Sequence, residues 1–283
     1  MVTRTRTELL DALAGIEGST VSFVPTMGAL HDGHRQLMAH ARPLGDVLVA
    51  SIFVNPTQFA PGEDLDAYPR TFDADLAVCE SAGVDIVFAP EVDTMYPNGL
   101  AETVTVDPGQ LGSILEGASR PTHFRGVLTV VSKLLGLVRP DVAVFGEKDY
   151  QQLVLIRQMA SELALGTEIV GCPTVREPDG LARSSRNIYL TDDVRGSATA
   201  LHDALQAGAV AGPDGVEAVL AAAHSVLADA AVTPDYVALT STDLGDPVRG
   251  KEARLLIAAR VGKPRLIDNI AVNLGPPDIH EGV

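Results

Sequence analysis

Two kinds of hydrophobic pattern alternate along the first part of this chain. Short, almost unbroken apolar runs occupy residues 20–24, 46–54, 85–89, 140–145 and 168–171. Apolar runs without polar alternation are expected of strands buried on both faces, the pattern of parallel sheets. Between the runs, apolar positions recur at helical spacing and predict helices over 7–16, 35–42, 72–82, 127–138 and from 146–152 to about 163. A strand-then-helix repeat predicts an α/β fold. Residues 95–108 read as an irregular excursion carrying a short strand at 103–106, and 63–71 as a charged loop.

The pattern changes near residue 175. Residues 191–231 are Ala-rich and helical, with breaks expected at Gly208 and at Gly212-Pro213. Strands are expected at 235–239, 254–259 and 265–270, and residues 275–283 read as a frayed tail. The organisation predicted is a parallel-sheet domain over 1–175 and a smaller α+β domain over 176–283.

Composition narrows the class. The 283 residues suit about two domains, and 46% hydrophobic content supplies a sizeable core. No apolar stretch reaches the roughly 18 residues a membrane helix needs. The basic start, Met1-Val2-Thr3-Arg4-Thr5-Arg6, lacks the apolar segment of a signal peptide. Cys79 and Cys172 lie far apart in apolar surroundings and are expected to be buried free thiols, in keeping with a cytoplasmic protein. The net charge of −16 argues against a nucleic-acid partner. It also means that an anionic ligand must be met by cations gathered locally against the overall field.

The candidate chemistry sits where strands end. Pro25-Thr26-Met27-Gly28-Ala29-Leu30-His31-Asp32-Gly33-His34 joins the first apolar run to a helix. Such a junction aims backbone N–H groups and a helix dipole at one spot, which suits phosphate, and Gly33 permits close approach. Residues three apart at a helix start face the same way, so His31 and His34 are expected to converge. As metal ligands the pair lacks a third donor at close spacing. Asn55 and Gln58 follow the second long run and are placed to hydrogen-bond a polar substrate beyond a strand's carboxyl end, although Asn55-Pro56 also reads as an ordinary turn starter. Asp73 and Asp75 read either as Mg²⁺ ligands or as first-turn caps. Arg120, His123 and Arg125 read equally as an anion-facing group or as partners of an acidic surface. A second junction at 146–152 offers Lys148 for phosphate and Asp149 for a ribose hydroxyl. After the Pro178-Asp179-Gly180 turn, Ser184, Ser185 and Arg186 pack two hydroxyls and a forked cation into three residues.

The His-x-Gly-His block preceded by Pro-Thr-Met-Gly resembles the nucleotidylyl-transferase superfamily. The blocks taken together, at 25–34, 53–59, 68–71, 145–152, 179–187 and 265–269, resemble the pantoate–β-alanine ligase (pantothenate synthetase) family from about residue 15 to 273. The resemblance implies a Rossmann-like N-terminal domain holding ATP and a C-terminal lid domain. It implies a cytoplasmic homodimer that condenses pantoate with β-alanine using ATP and Mg²⁺, through a pantoyl adenylate. Carried over by position, Met27, Gly28, His31, His34, Gly146, Glu147, Lys148, Asp149, Val175, Arg183, Ser184, Ser185 and Arg186 bind ATP. Within that set, His34 acts as proton donor, and His31, Lys148 and Arg186 stabilise charge. Gln58, Gln152 and Asn55 are implied for pantoate and β-alanine. Mg²⁺ ligands are not assigned. The chain departs from the family pattern at Thr122, where Gly is expected, at Arg183, where an apolar residue is usual, and at Lys263-Pro264.

Overall fold

Parallel pairing of the apolar runs builds the N-terminal unit, Met1–Pro173. The computed structural model describes residues 1–60, 62, 65, 66 and 68–276. Part of the charged-loop expectation (Glu63, Asp64 and Ala67) and the tail from residue 277 onward lie outside the described residues. In chain order the unit contains β1 (Val2–Thr3), α1 (Arg6–Ala14), β2 (Val21–Thr26), α2 (Asp32–Ala41), β3 (Val47–Ile52), α3 (Phe72–Ser81) and β4 (Ile86–Phe88). The short α4 (Val92–Met95) and α5 (Glu116–Ser119) follow, then α6 (His123–Val138), β5 (Val142–Gly146), α7 (Tyr150–Glu162) and β6 (Glu168–Cys172).

The sheet order is β1-β4-β3-β2-β5-β6, and the pairs are parallel. The chain runs outward from β2 through β3 and β4, then returns to the other side of β2 with β5. Strand order therefore reverses between β2 and β5, joined at Ser22↔Val142 and Phe23↔Ala143. Ligands of open parallel sheets bind beyond the carboxyl ends of the strands at such a reversal. One face of the sheet is covered by α1, α6 and α7 side chains, among them Leu9, Leu128, Leu135, Leu153 and Ile156, packed on Phe23, Phe88 and Ala143. In a separate cluster Met38, Ala41 and Cys79 pack with Val24, Ala50 and Val144. Cys79 and Cys172 are free and buried, as expected.

Three local features of this unit differ from the sequence expectation. Residues 103–106 form no strand: Val104 is 88% exposed, Thr103 bonds back to Gly99 and Leu100, and the Val106 N–H donates to Thr129 Oγ1 at 3.0 Å. Helix α6 begins at His123, four residues before the predicted start, so His123 and Arg125 lie on its first turn rather than in a loop. The edge strand β1 has no sequence signal, since two residues carry no periodicity; its pairing to Val87 and Phe88 creates it.

The C-terminal unit, Thr174–Val283, contains α8 (Asp192–Val210), α9 (Val216–Asp229), β7 (Pro234–Ser241), β8 (Glu252–Arg260) and β9 (Arg265–Asn273). The strands form an antiparallel sheet in the order β7-β8-β9. Leu201, Leu205, Val219 and Leu227 of the helices pack on Leu255, Ile257 and Val272. Helix α8 runs straight through Gly208, against expectation. A Cβ there would lie 2.4 Å from Leu255 Cδ2, so this glycine serves helix-on-sheet packing rather than helix termination. Among the described residues no helix is long and apolar enough to cross a membrane.

Candidate active site

The turn after β2 is shaped by its own backbone demands. Gly28 has φ +81° and Ala29 φ +51°, two successive left-handed residues. Thr26 Oγ1 accepts the Gly28 N–H at 3.2 Å and donates to the Ser51 carbonyl at 2.7 Å, tying the turn to β3. The buried Asp75 of α3 accepts the Ala29 N–H at 3.0 Å and the Leu30 N–H at 2.8 Å. Met27 and the two histidines stay partly exposed on this braced loop.

His31 is the N-cap of α2, with extended backbone at φ −131° and ψ −179°. Its Nδ1 accepts the Gly33 N–H at 3.1 Å, and His34 Nδ1 accepts the His31 N–H at 3.2 Å. This is a capping box built from imidazoles instead of hydroxyl and carboxylate. An Nδ1 that accepts a backbone proton leaves the ring proton on Nε2. Both neutral rings, 4.2 Å apart between centroids, therefore carry Nε2–H donors. Burial, aided by the neighbouring His31, lowers the His34 pKa to about 3; the Asp149 carboxylate pulls the other way. His34 is thus a neutral hydrogen-bond donor at pH 7. Gly33 is required beside it, because a Cβ would lie 2.8 Å from His31 Cε1.

The electrostatic reach of Asp149 onto His34 joins the second junction to the first. Gly146 ends β5, and Glu147–Asp149 make a single 3-10 turn before α7. Lys148 is partly buried there, Asp149 is exposed, and Gln152 is half-buried on the first turn of α7.

The Asn55–Gln58 segment is a second built turn, with Pro56–Gln58 in 3-10 form. Asn55 is fully buried. Its Nδ2 donates to Gln58 Oε1 at 3.0 Å and to the Gly126 carbonyl at 3.2 Å, and its Oδ1 accepts from Tyr96 Oη at 2.6 Å and Thr57 Oγ1 at 3.0 Å. Both amide hydrogens of Asn55 are spent inside the protein, so its role here is to orient Gln58. Arg120 and His123 converge on the Gln58 carbonyl, at 3.3 and 3.0 Å. Arg125 instead pairs with exposed Asp107 at 3.0 Å. Arg125 thus follows the acidic-surface reading of the basic block, while Arg120 and His123 brace the Gln58 backbone.

In the C-terminal unit, Arg183 N–H donates to the Val175 carbonyl at 2.9 Å, and Ser184 Oγ accepts the Arg186 N–H at 3.2 Å. Arg186 is exposed, and Ser185 is partly so. Arg176 Nη1 and Nη2 meet the Asp268 carboxylate at 2.6 and 3.0 Å, and Asn187 Nδ2 donates to Glu177 Oε1 at 2.9 Å. Two departures from the family pattern sit in tolerant places. Thr122 has φ −99°, which needs no glycine. Lys263 and Pro264 lie in the β8–β9 hairpin, where Lys263 Nζ stands 5.4 Å from the Tyr189 ring centroid.

Sequence reasoning missed the clamping role of Asp75, and it missed Tyr96, Gln151 and the Arg176–Asp268 pair. Gln151 Nε2 donates to the Leu111 and Ile114 carbonyls and its Oε1 accepts the Glu116 N–H, holding the approach to α6. None of these has a local signal, since the partners come from distant segments. Among the described residues no group of three or more His, Cys, Asp or Glu side chains is arranged to hold a metal. Asp75, one of the two carboxylates considered for Mg²⁺, has both oxygens committed to N–H and hydroxyl donors.

A strand-order reversal carrying two phosphate-type junctions narrows the search to nucleotide chemistry, and comparison with known proteins narrows it further. A family model for pantoate-beta-alanine ligase matches residues 1–271. Pantothenate synthetase of Saccharopolyspora erythraea is 59% identical over 260 residues, covering 91% of this chain and 85% of that one. The crystal structure of pantothenate synthetase from Thermus thermophilus matches with a TM-score of 0.87 at 47% identity, covering 96% of this chain and 99% of that chain. Pantoate-beta-alanine ligase from Francisella tularensis, complexed with beta-gamma ATP and beta-alanine, matches with a TM-score of 0.78 at 35% identity, covering 95% of this chain and 97% of that chain. Fold, motif order and near full-length identity agree: this chain belongs to the pantoate–beta-alanine ligase family.

Proposed function

We propose that the imidazole-capped turn at 31–34 is the phosphate site of an ATP-dependent ligase. The enzyme condenses pantoate with β-alanine, consuming ATP, to give pantothenate, AMP and diphosphate. The observation that carries the site reading is the pair of Nε2–H donors fixed by the His31–His34 capping box, within electrostatic reach of the junction that holds Lys148 and Asp149.

In this reading the pantoate carboxylate attacks the α-phosphorus of ATP in line, and diphosphate leaves. Charge accumulates on the phosphate oxygens. His31 and His34 meet it with Nε2–H groups already oriented, and Lys148 meets it with a full charge. Asp149 accepts from a ribose hydroxyl. Gly28, Gly146 and Glu147 border the nucleotide, Met27 lines the site, and Val175 lies against the adenine. The family resemblance assigns Ser184, Ser185 and Arg186 to phosphate as well, the forked guanidinium being suited to two oxygens at once. Gln58, oriented by Asn55, and Gln152 hold pantoate. The amine of β-alanine then attacks the acyl carbon of the pantoyl adenylate and expels AMP. No enzyme nucleophile is needed. Mg²⁺ is expected to travel with the nucleotide rather than with a carboxylate cage of the protein, and no step here is assigned to it. Assembly as a cytoplasmic homodimer completes the reading.

The test is product analysis by mass spectrometry with ATP, Mg²⁺ and pantoate, with and without β-alanine. Pantothenate and AMP forming only when β-alanine is present, and a bound pantoyl adenylate without it, are expected. No AMP in either reaction, from folded protein that binds ATP, would refute the ligase reading in favour of AMP transfer to another acceptor.

A further inference from the structure

We propose that Asp75 is a positioning residue of the phosphate site, acting through the backbone of the turn that carries His31 and His34. The inference rests on the reading of that turn as the place where ATP phosphates bind. Asp75 lies in the first turn of α3 and is 2% exposed. Its Oδ2 accepts the Ala29 N–H at 3.0 Å, and its Oδ1 accepts the Leu30 N–H at 2.8 Å and the Thr71 hydroxyl at 3.1 Å. Among the described residues no cation pairs with it. A buried carboxylate without a cation is costly unless its lone pairs are met by donors, and here two of the donors are backbone N–H groups.

The shape of the turn explains why an anion stands there. Gly28 and Ala29 are both left-handed, and for Ala29 at φ +51° that conformation is strained. The N–H groups of Ala29 and Leu30 consequently point the same way, and a carboxylate can take two of them, one on each oxygen. An asparagine of the same shape would offer one oxygen and set its NH₂ against the other N–H. Gly28 is moulded to the same group, since a Cβ there would fall 2.9 Å from Asp75 Oδ2. The residue after Leu30 is the His31 cap, whose carbonyl, N–H and ring organise the start of α2. A negative charge this near a phosphate site opposes ATP binding by itself. Its geometric service, delivering the imidazoles at a fixed angle, is what it contributes in return.

The experiment compares wild-type enzyme with Asp75→Asn and with Asp141→Asn. Asp141 accepts the Val21 N–H at 2.7 Å at the opposite end of β2, so its replacement removes a similar bond away from the site. Steady-state kinetics and long-range ¹H–¹⁵N spectra of the imidazoles are recorded on each, with fraction folded measured by circular dichroism. Asp75→Asn is expected to lower kcat/KM for ATP by roughly 10²-fold, the scale of an ångström-sized misplacement. Its His31 and His34 signals should shift from the pure Nε2–H form toward a mixture, while Asp141→Asn keeps both activity and signals. Wild-type kcat/KM with unmoved imidazole signals in Asp75→Asn, or a loss that merely follows the unfolded fraction in both variants, would overturn the proposal. If Asp75→Asn does not fold, amide exchange in the wild type decides: protection of Ala29 and Leu30 supports the clamp, and loop-like exchange overturns it. Imidazole signals that respond to Asp75→Asn, in an enzyme whose wild type forms no pantothenate, would keep the clamp and remove the ligase reading.

Discussion

His31 and His34 cap the same helix end reciprocally, the His34 ring accepting the His31 N–H while the His31 ring accepts the N–H of Gly33. The Nδ1 atoms are thereby consumed by structure, and the ring protons are left on Nε2. One arrangement fixes the helix start, the ring tautomers and the direction of the donors.

Removal of a donor should therefore cost rate more than fold. His34→Ala and Lys148→Ala are each expected to lower adenylate formation by roughly 10²-fold or more, the usual loss for one charge-stabilising donor. Single-turnover measurement of AMP formation checks this, and near-wild-type rates in either variant would contradict the site assignment.

The depressed pKa of His34 has a signed consequence for stability. Its folded value of about 3 lies below the ordinary 6.5, so protonation favours the unfolded chain. The contribution is fully present above pH 6.5 and is lost as pH falls from there toward 3. Urea midpoints measured across that window should fall less steeply in His34→Gln than in wild type. Equal slopes would show that His34 titrates normally in the folded enzyme.

Gly33→Ala is expected to separate stability from activity. The substitution improves helix propensity by up to about 1 kcal/mol. Yet its Cβ would meet His31 Cε1 at 2.8 Å and Nδ1 at 3.0 Å, turning the ring from its rotamer. A side chain forced off its rotamer costs on the order of 1 kcal/mol, which offsets the propensity gain, so the unfolding midpoint should stay near wild type while the displaced ring lowers kcat/KM for ATP by about fivefold. A parallel fall in both quantities would argue against a ring-specific effect.

Arg176→Ala should destabilise the C-terminal unit. Asp268 is 4% exposed, and the substitution leaves its carboxylate without the bidentate guanidinium. Stranding one partner of such a pair costs roughly 3 kcal/mol. Denaturant unfolding should register the loss, and Arg176→Ala with Asp268→Asn together should recover part of it. An additive double variant would mean that the pair is not energetically coupled.

The elements best predicted by sequence are those with a long local pattern. The continuous apolar runs announce β2, β3 and β5, because a strand buried on both faces has no polar alternation to confuse it. The histidine turn is legible because its parts are contiguous. The clamp at Asp75 is not, because an acidic residue in a first helical turn looks the same whether it caps its own helix or holds a loop more than forty residues earlier. Gly208 misleads for a related reason: its purpose is contact with Leu255 on another element, and only the fold contains that contact. The Arg265-Leu266-Ile267-Asp268-Asn269 block marks the family through residues that serve packing, since Asp268 and Asn269 hold Arg176 and Arg254.

The strand order has a consequence for how the molecule is made. β2, β3 and β4 are neighbours synthesised in succession, and α3, which carries Asp75, emerges between the last two. The histidine turn and its Asp75 clamp thus both come from the first third of the chain. Lys148 arrives only with β5, on the far side of β2, after a long excursion. The helix that the histidines cap is packed on the same late strands, since Met38 and Ala41 share a cluster with Val144 of β5 and Cys172 of β6, so the first motif of the chain is buried by some of the last segments of its sheet.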